Sequence, residues 1–496
     1  MKWANFLHFY QPANQQPDIL AAIVAQSYEP IIAGIKKNKK VHLSININGS
    51  LLELLQNNGY AYLIEDLKTL LKENRIEITG SAKYHPLLPL LSEAEIERQI
   101  KLNNETLAQF FDGYEPKGFF ASEMAYDERV GKIISKLEFQ WLILDEISCG
   151  GKVGQVDYSQ IYKVAGTGLK VFFRDRRLSN LIMSAVVRSK ETLQEAMREE
   201  LAGKNYIVTA MDAETFGHHR PGLEKMLFEI FETDDFELIK ISDIEKSYQI
   251  EKEIVPTPAT WASSKEDIEK SIQFLSWNDP ENIIHKWQWS LTQLVLEAVY
   301  RMDKKHSRYE LVRAKMDMAL GSDHFWWASG KPWWSLEMIE YGAWSLLDTL
   351  RHVPGVQKEI VEAGRDYYEK IISTAFNWQR TGKIRAMMQE QKNILRIPFS
   401  DRTLGRGGAE EGVYRAFITM MQKLEQRAVE NHEYEKAILW RDAIYKLENK
   451  LDIYDTINAI DLLRVEIPHK EVEDTIEKYK AQYYKIRGGQ PEQRGS

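Results

Sequence analysis

The chain has 496 residues, of which 44% are hydrophobic and 28% are charged, an ordinary composition for a globular protein of two or three structural units. Its formal net charge of −8 argues against the basic face with which nucleic-acid binders neutralise phosphates, so we expect no nucleic-acid partner. The sequence has no run of about eighteen apolar residues, the length that spans a bilayer, so we expect no membrane partner.

The N-terminus and the cysteine content indicate the compartment. The first residues, MKWANFLHFYQP, carry one lysine and only a short apolar run before His8. That is too little for a secretory signal and is typical of a first core strand. The single cysteine, Cys149, excludes an internal disulfide and a cysteine-based metal cluster. We therefore expect an intracellular, cytoplasmic protein.

The first 250 residues or so alternate short apolar runs with amphipathic stretches such as Ser92–Phe111. The predicted strands are Trp3–Phe9, Val41–Asn46, Arg75–Thr79, Lys117–Ala121, Phe139–Leu144, Lys170–Arg174, Tyr206–Met211 and Glu237–Ile241. This alternation predicts an α/β fold with a parallel sheet and crossover helices. Seven or eight such units can close into a barrel. An open doubly wound sheet also fits the pattern, although no GxGxxG follows the first strand.

After about Pro256 the pattern becomes helical. The predicted long helices are Asn282–Met302, Val356–Phe376, Gly408–Ala428, Tyr434–Leu451 and Lys470–Ile486. We expect a catalytic region over residues 1–255, a mainly α-helical domain over 256–485 that completes the substrate cleft, and a polar, glycine-rich, disordered tail over 486–496.

Polar side chains fall where the predicted strands end, which is where parallel α/β folds carry their functional groups. These residues are His8, Asn46, Asn48, His85, Glu123, Asp145, Arg174, Asp175, Asp212 and Glu214.

Two of these strand ends carry candidate catalytic acids. The segment YIVTAMDAETFGHHRPG at 206–222 brings Asp212 and Glu214, and KGFFASE at 117–123 brings Glu123. A carboxylate pair is the equipment of glycoside hydrolysis, because one acid protonates the leaving oxygen while the other attacks the anomeric carbon. The alternative for each acid alone is a helix N-cap.

Four motifs occur in order: HFYQP at 8–12, GSAKYHP at 80–86, FFASEMAY at 119–126 and MDAETFG at 211–217. Together they resemble glycoside hydrolase family 57, and SDHFWWAS at 322–329 is also similar to that family. The resemblance implies a retaining enzyme without a cofactor that acts on α-glucans at α-1,4 or α-1,6 linkages. It also implies an incomplete (β/α)7 barrel followed by a helical domain. Glu123 is then the nucleophile and Asp212 the general acid/base, with their carboxyl groups roughly 5–5.5 Å apart.

One residue departs from the family pattern. The first motif usually reads His-x-His-Gln-Pro, whereas Tyr10 stands in place of the second histidine. We expect substrate contacts from the polar residues of these motifs and of the other strand ends: His8, Tyr10, Gln11, His85, Asp145, Arg174, Glu214 and His218. Arg174 is expected to pair with an acid. If the strand Tyr206–Met211 continues past Asp212, the side chains of Asp212 and Glu214 share one face. If the chain turns there, Glu214 instead fixes a neighbouring arginine or histidine.

Thirteen tryptophans are many, and aromatic planes stack on the C–H faces of sugars. Most of them are expected to pack in the core. Trp261 in TPATWASS, and Trp326 with Trp327 in a predicted loop, are the candidates for sugar subsites.

Three other interpretations stay open at this stage. His218 and His219 beside the acids suggest a metal, but adjacent histidines point in different directions, so we expect no metal. A metal-dependent deacetylase or an α-mannosidase-like enzyme on a similar barrel predicts loss of activity on chelation. A glucan-binding relative with lost catalysis predicts binding of maltooligosaccharide without product. The oligomeric state is left open.

Overall fold

A computed structural model of the chain describes residues 1–185, 187–197, 205–248, 250–331, 333–387 and 411–449, with isolated positions between 462 and 475. The predicted helix Lys470–Ile486 lies largely, and the predicted tail entirely, outside the described residues. The chain forms two compact units. The first comprises residues 1–179, 197–213 and 231–391, and the second comprises residues 180–196, 214–230 and 392–496.

The described residues form ten strands in the first unit. In chain order they are β1 (Lys2–Phe9), β2 (Leu43–Ile47), β3 (Ile76–Ile78), β4 (Gly118–Phe119), β5 (Trp141–Asp145), β6 (Ile161–Val164), β7 (Lys170–Arg174), β8 (Tyr206–Asp212), β9 (Glu237–Leu238) and β10 (Ile250–Ile254). All eight predicted strands are present. The short strands β6 and β10 were not predicted. The sequence IEKEI of β10 is too charged to be recognised as a strand by its hydrophobicity.

Two sheets contain these strands. In one, β1 pairs in parallel with β2, β8 and β9, and β3 pairs with β2. In the other the order is β10-β6-β7-β5-β4, parallel except for the β6–β7 pair. The strands β1, β2, β5 and β8 are buried over nearly their whole length, as expected of parallel strands covered on both faces.

Backbone hydrogen bonds also link the two sheets at two places. The end of β3 meets β4 where Gly80 N donates to Gly118 O and Phe120 N donates to Gly80 O, each at 2.9 Å. The end of β7 meets β8 where Asp175 N donates to Val208 O at 2.7 Å. The approach at Gly118 requires glycine, because a Cβ there would lie 2.0 Å from the Trp141 ring.

Residues of four strands meet in one apolar cluster. It contains Ala4 and Phe6 of β1, Trp141 and Ile143 of β5, Phe172 of β7, and Tyr206, Val208 and Ala210 of β8, with Phe120 after β4. Since side chains two positions apart share a face of a strand, these rows define the common interior of the first unit.

The described residues also form helices on either side of residue 250. Those before residue 250 are Pro17–Ile23, Glu29–Lys37, Gly49–Asn57, Ala61–Lys72, Glu93–Phe110, Glu128–Lys136, Arg176–Met183, Lys190–Ala196, Leu223–Glu232 and Ile241–Ile244, with a π-helical turn at Val24–Tyr28. The later ones are Lys265–Glu269, Ile283–Tyr300, Tyr309–Ala319, Asp323–Trp326, Leu336–His352, Lys358–Arg380, Glu411–Glu430 and Tyr434–Asn449. The loop predicted at Trp326 and Trp327 is wrong, because Trp326 ends a four-residue helix and Trp327 is its C-cap.

The stretch Pro17–Lys37 is long and apolar enough to cross a membrane by length and composition. Its apolar residues include Leu20, Ile23, Ile31 and Ile35, and these are buried in the first unit. A core helix of a globular domain has the same properties, so this stretch is weak evidence for a membrane span.

The described part of the second unit is helical. The helices Glu411–Glu430 and Tyr434–Asn449 form a hairpin around a small apolar core that includes Phe417, Met421 and Trp440.

Candidate active site

The polar residues at the strand ends continue the apolar rows of the interior. His8 follows Ala4 and Phe6, Asp145 follows Trp141 and Ile143, Arg174 follows Phe172, and Asp212 follows Val208 and Ala210, each two positions further on. Period-two alternation therefore carries four polar side chains to the same end of the interior. His8 and Asp212 are also direct neighbours in the parallel β1–β8 register.

Glu123 reaches this end from a strained turn after β4. Its backbone has φ 60° and ψ 17°, and Met124 also has a positive φ of 49°. A left-handed conformation at a non-glycine residue costs about 1–3 kcal/mol and is typical of functional sites. The carboxylate Oε2 accepts a 2.7 Å hydrogen bond from Trp261 Nε1, and Oε1 lies 3.9 Å from His85 Nε2. The side chain stays 21% exposed, which leaves room for a reacting group.

The two acids perturb each other. Burial, followed by the charges of Asp212 and Asp323, raises the pKa of Glu123 to about 8 against the opposing effect of the Trp261 hydrogen bond. Burial raises the pKa of Asp212 to about 6 against the opposing charge of Arg174. The two groups therefore titrate as one pair that carries a single proton near neutral pH. Of the two acids, Glu123 has the higher pKa.

A chain of hydrogen bonds fixes the two histidines. Asn46 Nδ2 donates to Thr79 Oγ1, so its Oδ1 accepts from His8 Nδ1 at 2.9 Å. His8 Nε2 is then the acceptor for His85 Nε2–H at 3.2 Å, and His85 Nδ1 accepts from Ser322 Oγ at 3.2 Å. Each ring carries one hydrogen in this arrangement and is neutral. Burial agrees with this assignment, since it lowers the pKa of His8 to about 3 and that of His85 well below its usual value.

Tyr10 lies against the same histidines. Its ring stacks on His85 with centroids 4.0 Å apart, and its hydroxyl donates a 2.6 Å hydrogen bond to Asp323 Oδ2. Burial raises the pKa of Asp323 to about 6, which places a third acid in the site. Gln11, the next residue of the motif, accepts a hydrogen bond from Gln15 Nε2 at 2.6 Å.

Asp145 holds two arginines. Its Oδ2 accepts from Arg174 Nη1 and its Oδ1 from Arg176 Nε, both at 2.7 Å, and Asp145 and Arg174 are buried. The expected pairing of Arg174 with an acid is thus observed. Arg176 also donates to the carbonyls of Ser263 at 2.7 Å and Trp261 at 3.1 Å. It therefore fixes the loop that presents Trp261 to Glu123.

The remaining predicted site residues are Glu214, His218, Trp326 and Trp327. Glu214 and His218 belong to the second compact unit. The chain turns into a 3-10 segment at Ala213–Thr215 instead of extending β8, so Glu214 does not continue the row of Asp212. Trp326 and Trp327 pack with Trp333, with ring centroids 4.3 and 5.7 Å apart. In the part of the chain that the structure describes, no three His, Cys, Asp or Glu residues are grouped to hold a metal ion.

Sequence reasoning missed two members of this site, Arg176 and Asp323. Arg176 follows Arg174 by two positions, and Asp323 stands in the quoted SDHFWWAS motif. These positions could have drawn attention to both residues. They do not indicate that Arg176 contacts Asp145 or that Asp323 contacts Tyr10.

The sequence comparison agrees with the geometry of this site. Residues 19–258 match the profile of glycosyl hydrolase family 57. The chain contains a glycosyl hydrolase family 57 domain. It is 25% identical over 231 residues to an alpha-amylase of Pyrococcus horikoshii, a match that covers 45% of this chain and 36% of that protein. It is also 25% identical over 214 residues to alpha-amylase 1 of Dictyoglomus thermophilum, covering 42% and 31%. The chain thus spans about a third of the length of these relatives.

Solved structures of the family share the fold. A family 57 branching enzyme of Thermococcus kodakaraensis superposes with a TM-score of 0.57 at 15% identity, covering 74% of this chain and 94% of that one. A 4-alpha-glucanotransferase of Thermococcus litoralis superposes with a TM-score of 0.55 at 16% identity, covering 71% and 58%. At these identities the likeness concerns the fold alone.

Proposed function

We propose that the protein is a retaining glycosidase or transglycosidase acting on α-glucans, with Glu123 as nucleophile and Asp212 as general acid/base. The observation that carries the proposal is the pair of acids at the ends of β4 and β8, where burial raises the pKa of both and the charge of Asp212 also raises that of Glu123. A retaining mechanism needs one ionised and one protonated carboxyl group at the scissile bond. The family 57 domain and the amylase and transferase relatives support α-glucan as the substrate class.

The finer fold is part of this proposal. Seven parallel strands, β1, β2, β3, β4, β5, β7 and β8, are linked in a ring when the bonds at Gly80 and Asp175 are included, which supports an incomplete (β/α)7 barrel. The region 1–255 is then the catalytic domain and 256–485 the helical domain. Glu123 and Asp212 at the carboxyl ends of β4 and β8 agree with barrel enzymes in general.

Bond cleavage proceeds in two steps. The Glu123 carboxylate attacks the anomeric carbon while Asp212 protonates the glycosidic oxygen, which breaks the bond and releases the shorter glucan as an alcohol. Asp212 then takes a proton from water or from a sugar hydroxyl, whose oxygen displaces Glu123 from the anomeric carbon. Water as acceptor gives hydrolysis and a sugar hydroxyl gives transfer.

The shared proton must lie on Asp212 when the bond breaks. Trp261 favours that state, because its N–H donates to Oε2 of Glu123 and stabilises the carboxylate form. The glycosidic oxygen gives Asp212 a partner for its proton. Substrate binding therefore moves the proton from Glu123 to Asp212 in this mechanism.

The surrounding residues have separate roles. His8 and His85 are neutral, so they offer hydrogen bonds to sugar hydroxyls without adding charge. Both oxygens of Asp145 already accept hydrogen bonds, so we assign it to holding Arg174 and Arg176 instead of binding sugar. Arg174 stabilises ionised Asp212. Gln11, Trp261, Glu214, His218, Trp326 and Trp327 remain proposed substrate contacts.

The substrate and the compartment are also proposals. We propose a maltooligosaccharide or longer α-glucan as the ligand. We propose the cytoplasm as the location, since the single thiol, Cys149, is free and buried and a disulfide framework typical of exported domains is not possible.

Incubation with maltoheptaose followed by sizing of the products tests the proposal. Shorter products alone indicate hydrolysis, and a ladder above seven units indicates transfer. Glu123→Gln should abolish either outcome, whereas Glu128→Gln, which changes an acid that is 74% exposed, should leave the ladder unchanged. The absence of any product from maltoheptaose and from longer α-glucans would contradict the substrate class.

A further inference from the structure

We propose that Tyr10 is a positioning residue that holds Asp323 beside Glu123, and that it acts on the reaction through this acid without binding sugar itself. The proposal rests on the proposed function. It also reassigns Tyr10, since the sequence predicts a substrate contact there. The hydroxyl of Tyr10 donates to Asp323 Oδ2 at 2.6 Å across 313 positions of the chain.

Tyr10 is fixed on three sides. Its carbonyl accepts a 3.2 Å hydrogen bond from the Tyr28 hydroxyl, and its ring is nearly parallel to His85 at 18° and to His8 at 7°. Rotating the phenol toward a substrate would break both the stack and the bond to Asp323. The side chain is therefore built to hold one orientation.

Asp323 connects this orientation to Glu123. Its charge raises the pKa of Glu123, and the Tyr10 ring that holds it stacks on His85, whose Nε2 lies 3.9 Å from Glu123 Oε1. An ionised Asp323 also adds negative charge near the carbon at which positive charge develops in the transition state. The Tyr10 hydrogen bond opposes the burial that raises the pKa of Asp323, and thereby favours the ionised form.

A tyrosine suits this role better than a histidine. Burial, followed by the charge of Asp323, raises the pKa of Tyr10 well above its usual value, so its hydroxyl remains a donor throughout the working pH range. A neutral histidine at position 10 would carry a single N–H, whose direction depends on the tautomer. The other titratable groups around the pair are Glu123, His8, His85, Tyr28 and, across a cavity of about 40 Å³, Tyr84, His324 and Tyr341.

The test compares Tyr10→Phe with Tyr62→Phe. Tyr62 is a matched control, because it is 45% exposed and its hydroxyl also donates to an acid, Glu29. We expect Tyr10→Phe to lower kcat about tenfold near pH 6, with KM changed less than about threefold. The loss should shrink toward pH 8, where Asp323 ionises without help. Asp323→Asn should lower kcat at every pH, and adding Tyr10→Phe to it should change kcat little more.

Two further readouts keep the outcomes separate. The pKa of Asp323, followed by carboxyl-labelled aspartate NMR and assigned by the signal lost in Asp323→Asn, should rise in Tyr10→Phe. An unchanged pKa of Asp323 in Tyr10→Phe would overturn the proposal, whether or not the wild-type protein cleaves α-glucans. Failure of the wild-type protein to cleave any α-glucan would contradict the proposed function instead. A Tyr10→Phe variant that raises KM alone, with the same pH profile, would show that Tyr10 binds sugar directly.

Discussion

The indole N–H of Trp261 donates a 2.7 Å hydrogen bond to Oε2 of Glu123, and the backbone N–H of Trp261 donates to the carbonyl of Glu123 at 3.2 Å. A loop 138 positions further along the chain therefore fixes both the carboxylate and the strained backbone of the proposed nucleophile. Arg176 in turn fixes that loop through its carbonyls. The environment of the Glu123 carboxylate is thus built from three segments that are distant in sequence: the turn after β4, the loop at Trp261 and the start of the helix at Arg176.

Trp261→Phe removes the donor and keeps an aromatic ring. We expect the pKa of Glu123 to rise, because the lost bond favoured its ionised form. A hydrogen bond to a charged group contributes about 1.5–3 kcal/mol, so kcat/KM should fall roughly 10- to 100-fold on maltoheptaose. Trp344→Phe changes a tryptophan that is 41% exposed and serves as the control. Equal kcat/KM in both variants would refute this role of the indole.

The pH dependence of kcat/KM should be bell-shaped, with limbs near pH 6 and pH 8. Below the lower limb both acids are protonated, so no carboxylate is free to attack. Above the upper limb both are ionised, so no proton is available for the leaving oxygen. Initial rates at low substrate concentration from pH 4 to pH 10 measure both limbs. A rate that rises steadily with pH through this range would conflict with a shared proton.

Arg174→Met should shift the acid limb to higher pH. The guanidinium lowers the pKa of Asp212, so removing its charge raises that pKa. The pH range of high kcat/KM then becomes narrower, because its acid limit moves up. Arg174→Lys retains the charge and should shift the limb less. The pH profiles of the three proteins give the comparison, and an acid limb that stays in place in Arg174→Met would show that Arg174 does not act on Asp212.

Asp145→Ala should destabilise the fold strongly. The substitution leaves Arg174 without its carboxylate partner in a buried site, and breaking a buried ion pair in this way costs about 3–5 kcal/mol. Asp66→Ala removes the partner of Lys36 in a pair whose side chains are 30% and 44% exposed, and should cost less than about 1 kcal/mol. Urea unfolding of both variants measures the difference. Similar losses would mean that the Asp145 cluster contributes no more than a surface pair.

Local patterns in the sequence were sufficient for the interior of the fold. The buried runs of β7 and β8 are predicted almost to the residue, and the alternation within them carries Arg174 and Asp212 to the same end. By contrast, β6 and β10 are short and partly charged, and their place depends on pairing with each other and with β7.

The contacts that tune the site could not be read from the sequence. The pairing of Tyr10 with Asp323 depends on how the helix Asp323–Trp326 packs against the end of β1, over 313 positions. Nothing in the FFASEMAY motif signals the left-handed backbone of Glu123. The sequence also left open whether the chain turns after Asp212, as it does at Ala213–Thr215.

The roles of the two acids can be measured directly. Of the two acids Glu123 has the higher pKa, whereas the proposed mechanism makes Glu123 the nucleophile. Glu123→Ala and Asp212→Ala can each be supplied with azide and an α-maltosyl fluoride, whose leaving group needs no acid. We predict a β-glycosyl azide from Glu123→Ala, because azide replaces the nucleophile. We predict an α-glycosyl azide from Asp212→Ala, because azide then attacks the glycosyl–Glu123 intermediate. The opposite pair of anomers would make Asp212 the nucleophile and contradict the account.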